Sequence, residues 1–348
     1  MSKKAELIVD GRTLAVSNLD KVLYPKDGFT KGELINYYIQ IAPVLLPHLK
    51  DRPLTMKRYP DGVEGEFFYE KNCPSHRPKW VQTAKVWSEG NQREMHYCLA
   101  QDLPTLVWAA NLADIELHTS LSCKKDVARP TMMVFDLDPG APADIVQCCQ
   151  VGLWLREILR ELKLKSWAKT SGSKGLQVYA PLNTAVTYDQ TKELSHALAE
   201  HLESEHSDLV ISKMSKALRK GKVFVDWSQN DDYKTTVCVY SLRAKERPTV
   251  STPVSWEEVE QCLKKKDPNL LVFTSDQVLK RVDKLGDLFE PVLTTKQKLP
   301  ALEDLMALGP ETPAGVVRTP VKQSRRTPAA QERSKVMARK PRPKRKVG

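Results

Sequence analysis

Phe135-Asp136-Leu137-Asp138-Pro139-Gly140 follows directly on an apolar run, residues 131 to 135, of the type that forms a buried strand. Side chains alternate along a strand, so Asp136 and Asp138 share one face at its end while Leu137 points into the core. Two carboxylates placed this way repel each other unless a cation sits between them. Hard divalent ions such as magnesium or manganese accept oxygen ligands of this kind. The competing reading of the hexapeptide is a solvated turn rich in Asp, Pro and Gly. Residues 222 to 227, Lys222-Val223-Phe224-Val225-Asp226-Trp227, supply a third carboxylate inside a second apolar run. Asp is depleted in strands and costly to bury alone, so Asp226 requires a partner there: a metal, or one of the cations Arg219 and Lys222.

The remaining chemistry-bearing segments are individually less specific. Thr170-Ser171-Gly172-Ser173-Lys174-Gly175 lies between two expected strands, 166 to 169 and 177 to 179, where a run of N–H groups can cradle phosphate oxygens or make an ordinary glycine turn. It lacks the spacing and the following helix of a Walker loop. Lys57-Arg58 and Phe67-Phe68-Tyr69, beside Lys71, set cations next to aromatic faces that suit either base stacking or a core. Cys73, His76, His96 and Cys98 have no spacing of a common structural zinc site. His118 is expected at a helix end, with a satisfied surface or core histidine as the default.

Strands and helices alternate irregularly, which predicts a mixed α/β or α+β body rather than a bundle or sandwich. Thr30-Lys31-Gly32-Glu33 has capping-box spacing and opens a helix from about 31 to 48. A strand at 54 to 59 and a mostly buried helix at 106 to 117 follow. Pro142 is read as the first turn of a helix reaching about 162. A helix at 187 to 203, paired strands at 222 to 227 and 235 to 240, and helices near 256 to 264 and 275 to 284 complete the ordered part. Residues 1 to 295 are expected as the folded domain, 296 to 315 as a linker and 316 to 348 as a disordered basic tail. That tail holds 12 of the Lys and Arg residues against one acid, which accounts for the whole formal charge of +11. The body is therefore neutral, and any nucleic-acid surface on it must be a local patch. The tail itself suits electrostatic contact with DNA or a solubilising role. Seven cysteines without framework spacing and an N-terminus without an apolar signal core point to a reducing cytoplasm, with nucleoid association. No apolar run approaches the roughly 18 residues of a membrane span.

Taken in order, these segments resemble the polymerase domain of bacterial ligase D, a member of the archaeo-eukaryotic primase superfamily that acts in non-homologous end joining. The similarity rests on residues 16 to 25 (Val-Ser-Asn-Leu-Asp-Lys-Val-Leu-Tyr-Pro), 52 to 58 (Arg-Pro-Leu-Thr-Met-Lys-Arg), 135 to 140 and 170 to 179. It continues through 214 to 230 and Tyr240-Ser241-Leu242-Arg243, covering about residues 8 to 290. The resemblance implies a primase-type fold of two β-containing modules with the active site in the cleft between them. It implies that Asp136, Asp138 and Asp226 hold two divalent ions, manganese or magnesium, for nucleotidyl transfer. His118, Ser171, Lys174 and Arg219 match positions that contact the nucleoside triphosphate. Lys21, Lys31 and Lys57 match positions that grip the 5′-phosphate of a DNA end; Phe68 and Tyr69 match the aromatic pair stacked beside it, and Arg243 a residue near the primer terminus. Ribonucleotides are expected to be favoured. The chain departs from the pattern at Gln177, where the family has His: a neutral amide still donates a hydrogen bond but cannot act as an acid. No Lys-x-Asp-Gly ligase motif and no nuclease segment occur, so a separate ligase and a Ku-like end-binding protein are expected partners. The rival expectation is a DNA-end-binding scaffold whose catalysis is weak or lost through Gln177.

Overall fold

Two six-stranded sheets face a common cleft, and the helices cover their outer surfaces. The computed structural model describes residues 4–308. The first sheet runs in the order Thr236–Val237, Asp114–Thr119, Leu54–Arg58, Arg93–Cys98, Thr83–Ser88, with Phe68–Glu70 added to Leu54–Arg58. The second runs Val210–Ile211, Val223–Asp226, Met132–Pro139, Leu176–Pro181, Trp167–Thr170, Pro253–Val254. Its pairs are antiparallel except the one joining Val210–Ile211 to Val223–Asp226. This is the mixed helix-and-sheet body that the irregular alternation implies.

Helix α1, Lys31–Leu49, begins where the capping box places it: the Thr30 hydroxyl accepts from Glu33 N, and the Glu33 carboxylate accepts from Thr30 N at 2.7 Å. One face of α1 buries Leu34, Ile35, Tyr38, Ile41, Leu45 and Leu49 in the core beneath the first sheet. Burying such side chains stabilises the fold by about 1.5–3 kcal/mol each. Helix α3, Ile145–Glu161, covers the second sheet, capped by Asp144, whose carboxylate accepts from Val146 N. Pro142 precedes that cap instead of occupying the first turn. Helices α4 (Tyr188–Glu205), α5 (Trp256–Lys265) and α6 (Ser275–Leu285) match their expected positions to within two residues.

Two expectations are corrected. Residues 106 to 117 are not one helix: α2 spans Leu103–Asn111, the chain reverses at Ala113 with φ +57°, and Asp114–Thr119 is a central strand. A continuous apolar run does not distinguish buried helix from buried strand by periodicity, and the break here is only two residues, Leu112 and Ala113. His118 therefore stands on a strand. Residues 235 to 240 do not pair with 222 to 227; Thr236–Val237 joins the other sheet, opposite Thr119 and His118. Cys73 and Cys98 form a disulfide, with Cys73 N donating to the carbonyl of His96. They are thus neither free thiols nor members of a zinc quartet with His76 and His96.

The stretch read as a linker begins on the body. Gln297 N donates to Leu182 O and its side-chain amide to Pro181 O, and Leu302–Met306 is helical. The remainder of the linker and the basic tail lie outside the described residues.

Candidate active site

The central strand of the second sheet, Met132–Pro139, carries Asp136 and Asp138 on the cleft face, with Phe135 and Leu137 fully buried behind them. Register builds the rest of the site. Asp136 lies directly opposite Asp226 on one neighbour and opposite Gln177 on the other, and Gln177 lies opposite Lys169 on the next strand. Directly paired residues share a face, so Lys169, Gln177, Asp136 and Asp226 form one row across four strands.

Electrostatics in this row are unfavourable as it stands. Burial and then the charges of Asp138 and Asp226 push the Asp136 carboxyl up to about 7, against a hydrogen bond from Gln177 and the charge of Lys169. Burial and Asp226 raise Asp138, opposed by Arg219, Arg243 and Lys174. Asp136 Oδ1 is buried without a hydrogen-bond partner. An orphaned acceptor among like charges, in an all-oxygen donor set, suits a hard divalent cation. The three acids are not equally free to bind one. Asp226 caps the short helix Trp227–Gln229: its Oδ1 accepts from Ser228 N and Oγ, and its Oδ2 from Gln229 Nε2. Among the described residues no three His, Cys, Asp or Glu side chains converge as metal ligands.

Lys169 was not singled out by its residue type. Its side chain is fully buried, and the ammonium donates to Gln177 Oε1 and, at 2.7 Å, to Ser251 Oγ. An ammonium only donates, so the oxygen of the Gln177 amide must face Lys169 and its nitrogen faces Asp136. Burial lowers the Lys169 pKa to about 7 while Asp136 opposes that shift. At 2 % exposure Gln177 is a link between Lys169 and Asp136 as well as part of the cleft wall.

The cleft has a volume of about 630 Å³, and Tyr69, His118, Asp136, Asp138, Ser171, Lys174, Gln177 and Arg243 all line it. The Ser171 loop is a cradle closed on itself: Ser173 N and Gly175 N both donate to Ser171 Oγ. Gly172 takes φ +66°, and a Cβ there would lie 2.6 Å from the carbonyl carbon of Val250, so the close approach of the Leu242–Ala244/Pro248–Val250 hairpin excludes side chains. Gly140 acts likewise at the strand end, where a Cβ would meet the Arg219 carbonyl oxygen at 1.9 Å. That approach brings Arg219 beside Asp138; its guanidinium lies 3.7 Å from the Phe224 ring centre and donates to Met214 O.

The three lysines expected at a DNA 5′-phosphate have different partners. Lys31 donates to Ser17 O, and burial together with the charges of Lys21 and Arg58 lowers its pKa to about 8. Lys21 pairs with Asp61 at 2.7 Å. Lys57 instead faces the cleft, opposite Glu116 in register and 4.3 Å from the Phe67 ring centre. Phe68 and Tyr69 are 44 % and 53 % exposed, open enough to stack on a base, with Arg58 over the Phe68 ring at 5.0 Å. Glu116 was missed because residues 106 to 117 read as helix; on a strand, its pairing with Lys57 becomes visible.

A cleft between two sheets, with carboxylates on the central strand and a glycine loop beside them, is chemically suited to divalent ions and phosphate groups. Residues 30–289 match the family model described as LigD, primase-polymerase domain. The chain is 39 % identical over 279 residues to the multifunctional non-homologous end joining protein LigD of Mycolicibacterium smegmatis, covering 80 % of this chain and 36 % of that one. It is 34 % identical to the bifunctional LigD of Bacillus subtilis, covering 78 % and 43 %. The structure of the polymerase domain of Mycobacterium tuberculosis ligase D in complex with DNA superposes with a TM-score of 0.75 at 36 % identity, covering 82 % of this chain and 99 % of that one. The chain belongs to the LigD primase-polymerase family. It spans little more than a third of the length of the mycobacterial relatives.

Proposed function

We propose that this domain is a DNA-dependent nucleotidyltransferase that extends and fills 5′-phosphorylated gaps and ends in double-strand break repair by non-homologous end joining, with ribonucleotides favoured. The primer 3′-oxygen attacks the α-phosphate of a bound nucleoside triphosphate, the bond to the β-phosphate oxygen breaks, and pyrophosphate leaves. Asp136, Asp138 and Asp226 would hold two divalent ions, manganese or magnesium, which when bound supply charge neutralisation at the attacking and leaving oxygens. Ser171, Lys174 and Arg219 neutralise and orient the triphosphate, with His118 and Gln177 alongside. Lys21 and Lys31 take the 5′-phosphate with Lys57 nearer the cleft, Phe68 and Tyr69 stack beside it, and Arg243 lies by the primer terminus. Partners in this reading are DNA, nucleoside triphosphates, a ligase and a Ku-like end-binding protein, all in the cytoplasm.

The observation that carries the proposal is the buried, unpartnered Asp136 Oδ1 set against two further acids. A scaffold that only held DNA ends would gain nothing from this repulsion. The deciding experiment is extension of a gapped duplex with manganese and then magnesium, comparing 5′-phosphate with 5′-hydroxyl ends and ribo- with deoxynucleotides. Extension that depends on metal and is stronger on phosphorylated gaps supports the proposal. Tight binding to DNA ends with no extension under any condition selects the scaffold reading.

A further inference from the structure

Glu116 lies between His118 and Arg243, two residues of the cleft lining, and the proposed function gives it no role. It is 1 % exposed and lies on the interior strand Asp114–Thr119. Its two oxygens face different elements. Oε2 accepts from His118 Nε2 at 3.0 Å and lies 3.5 Å from Lys57 Nζ on the neighbouring strand. Oε1 accepts from Ala244 N at 3.0 Å and lies 3.4 Å from Arg243 Nε. Arg243 in turn donates through its terminal nitrogen to the carbonyl of Ser171, at the head of the glycine loop. Although burial alone would raise its pKa, His118, Arg243 and Lys57 hold Glu116 well below the usual carboxylate range.

The pattern is lopsided in a useful way. The contact to Lys57 is the longest, and Arg243 Nε is buried with no hydrogen bond although Glu116 stands beside it. Glu116 therefore holds His118 and Ala244 N by ordinary hydrogen bonds and Lys57 by its weakest contact, which makes Lys57 the partner most easily given up. When a phosphate draws Lys57 away, the released charge is available to Arg243 and His118.

We propose that Glu116 is a positioning residue, a buried counter-ion that aims Lys57, His118 and Arg243 at a phosphate group entering the cleft and yields Lys57 to it. The inference rests on the proposed function for the identity of the phosphate, which belongs either to the incoming nucleotide or to the DNA end. Its signature separates it from a structural role. Removing one negative charge from among three donors favours anion binding in general, whereas losing their alignment weakens the productive geometry.

The test compares wild type with Glu116→Gln and Glu116→Asp in the full chain. Calorimetry with manganese and a nucleoside triphosphate, without DNA, reads the nucleotide arm. Fluorescence anisotropy with gapped DNA bearing 5′-phosphate or 5′-hydroxyl, without nucleotide, reads the DNA arm. Steady-state extension separates KM from kcat. Glu116→Gln should weaken nucleotide binding and raise its KM about tenfold, the weight of one charge-assisted contact, with kcat changed less than about threefold. Its DNA affinity should stay equal or rise. Glu116→Asp, which retracts the charge by one methylene, should give an intermediate KM, and it decides alone if the Gln variant does not fold. A loss confined to 5′-phosphorylated DNA would support the positioning role and assign the donors to the DNA end. Unchanged nucleotide and DNA binding in both variants overturns the inference, as does a parallel loss in every arm with a lowered melting temperature. If wild type extends nothing yet binds nucleotide in a Glu116-dependent way, the proposed function falls and this inference stands.

Discussion

Asp136→Asn should abolish nucleotide addition and at the same time make the metal-free protein more stable. The Asp136 carboxyl is raised from the ordinary value near 4 to about 7, chiefly by burial and by Asp138 and Asp226. For an acid whose folded pKa is raised, the penalty is absent below the unfolded value near 4. It accumulates between about pH 4 and 7 and is complete above that. A shift of about three units corresponds to roughly 4 kcal/mol at most. Part of that is not recovered in the variant, because Lys169 loses the charge that opposes its own desolvation. A net gain of about 2 kcal/mol at pH 8 is therefore expected, a rise of roughly 3 °C in melting temperature for a domain of this size. The assay is thermal unfolding of both proteins in chelator at pH 8 and pH 5. The gap should shrink to about a third at pH 5, where wild-type Asp136 is protonated in the fold while the unfolded carboxyl is still mostly ionised. Manganese should raise the wild-type melting temperature and leave the variant nearly unmoved. A variant that melts at or below wild type at pH 8, or a gap of equal size at both pH values, refutes the electrostatic account of the site.

Lys169→Met should lower extension by one to two orders of magnitude with little change in DNA affinity, because Gln177 Oε1 and Ser251 Oγ lose their donor and the amide beside Asp136 is no longer fixed; extension kinetics and anisotropy on one gapped substrate check both halves. Deleting residues 316 to 348 removes a net charge of +11, so DNA affinity should fall about equally for all substrates and its dependence on salt should flatten. Titrations at several salt concentrations read this, and an unchanged slope rejects DNA contact by the tail.

Much of the site was legible because strand alternation is a short-range rule. Phe135 to Gly140 places Asp136 and Asp138 on one face whatever surrounds them, and the structure keeps that face. The α1 capping box is equally local, with both of its hydrogen bonds inside four residues. What stayed hidden depends on register between distant strands. The pairing of Glu116 with Lys57 and of Lys169 with Gln177 follows from Leu54–Arg58 lying against Asp114–Thr119 and Trp167–Thr170 against Leu176–Pro181. No periodicity within one segment carries that information. The buried helix expected at 106 to 117 failed for a related reason: one residue at positive φ, Ala113, divides an apolar run into a helix and a strand.

Gln177 shows how far this matters for function. Compared by residue type alone, Gln where the resemblance expects His is the loss of a titratable group in the cleft wall. In the sheet it sits between a buried ammonium and a carboxylate, accepting from Lys169 and donating to Asp136. A neutral imidazole can do the same, accepting at one nitrogen and donating from the other. A protonated imidazole cannot, since both of its nitrogens donate and Lys169 also only donates. The row therefore favours the neutral ring, and Gln and His become nearly equivalent links. Gln177→His should alter steady-state extension by less than about tenfold in either direction, within the difference expected between two hydrogen bonds of similar type. Gln177→Leu, which can neither accept nor donate, should lose at least as much activity as Lys169→Met, because it strands the ammonium and removes the donor to Asp136 together. The comparison uses one gapped substrate with manganese, with melting temperatures recorded alongside. If the Leu variant extends as well as wild type, or the His variant is silent, the link between Lys169 and Asp136 is not what holds the Asp136 carboxylate in place.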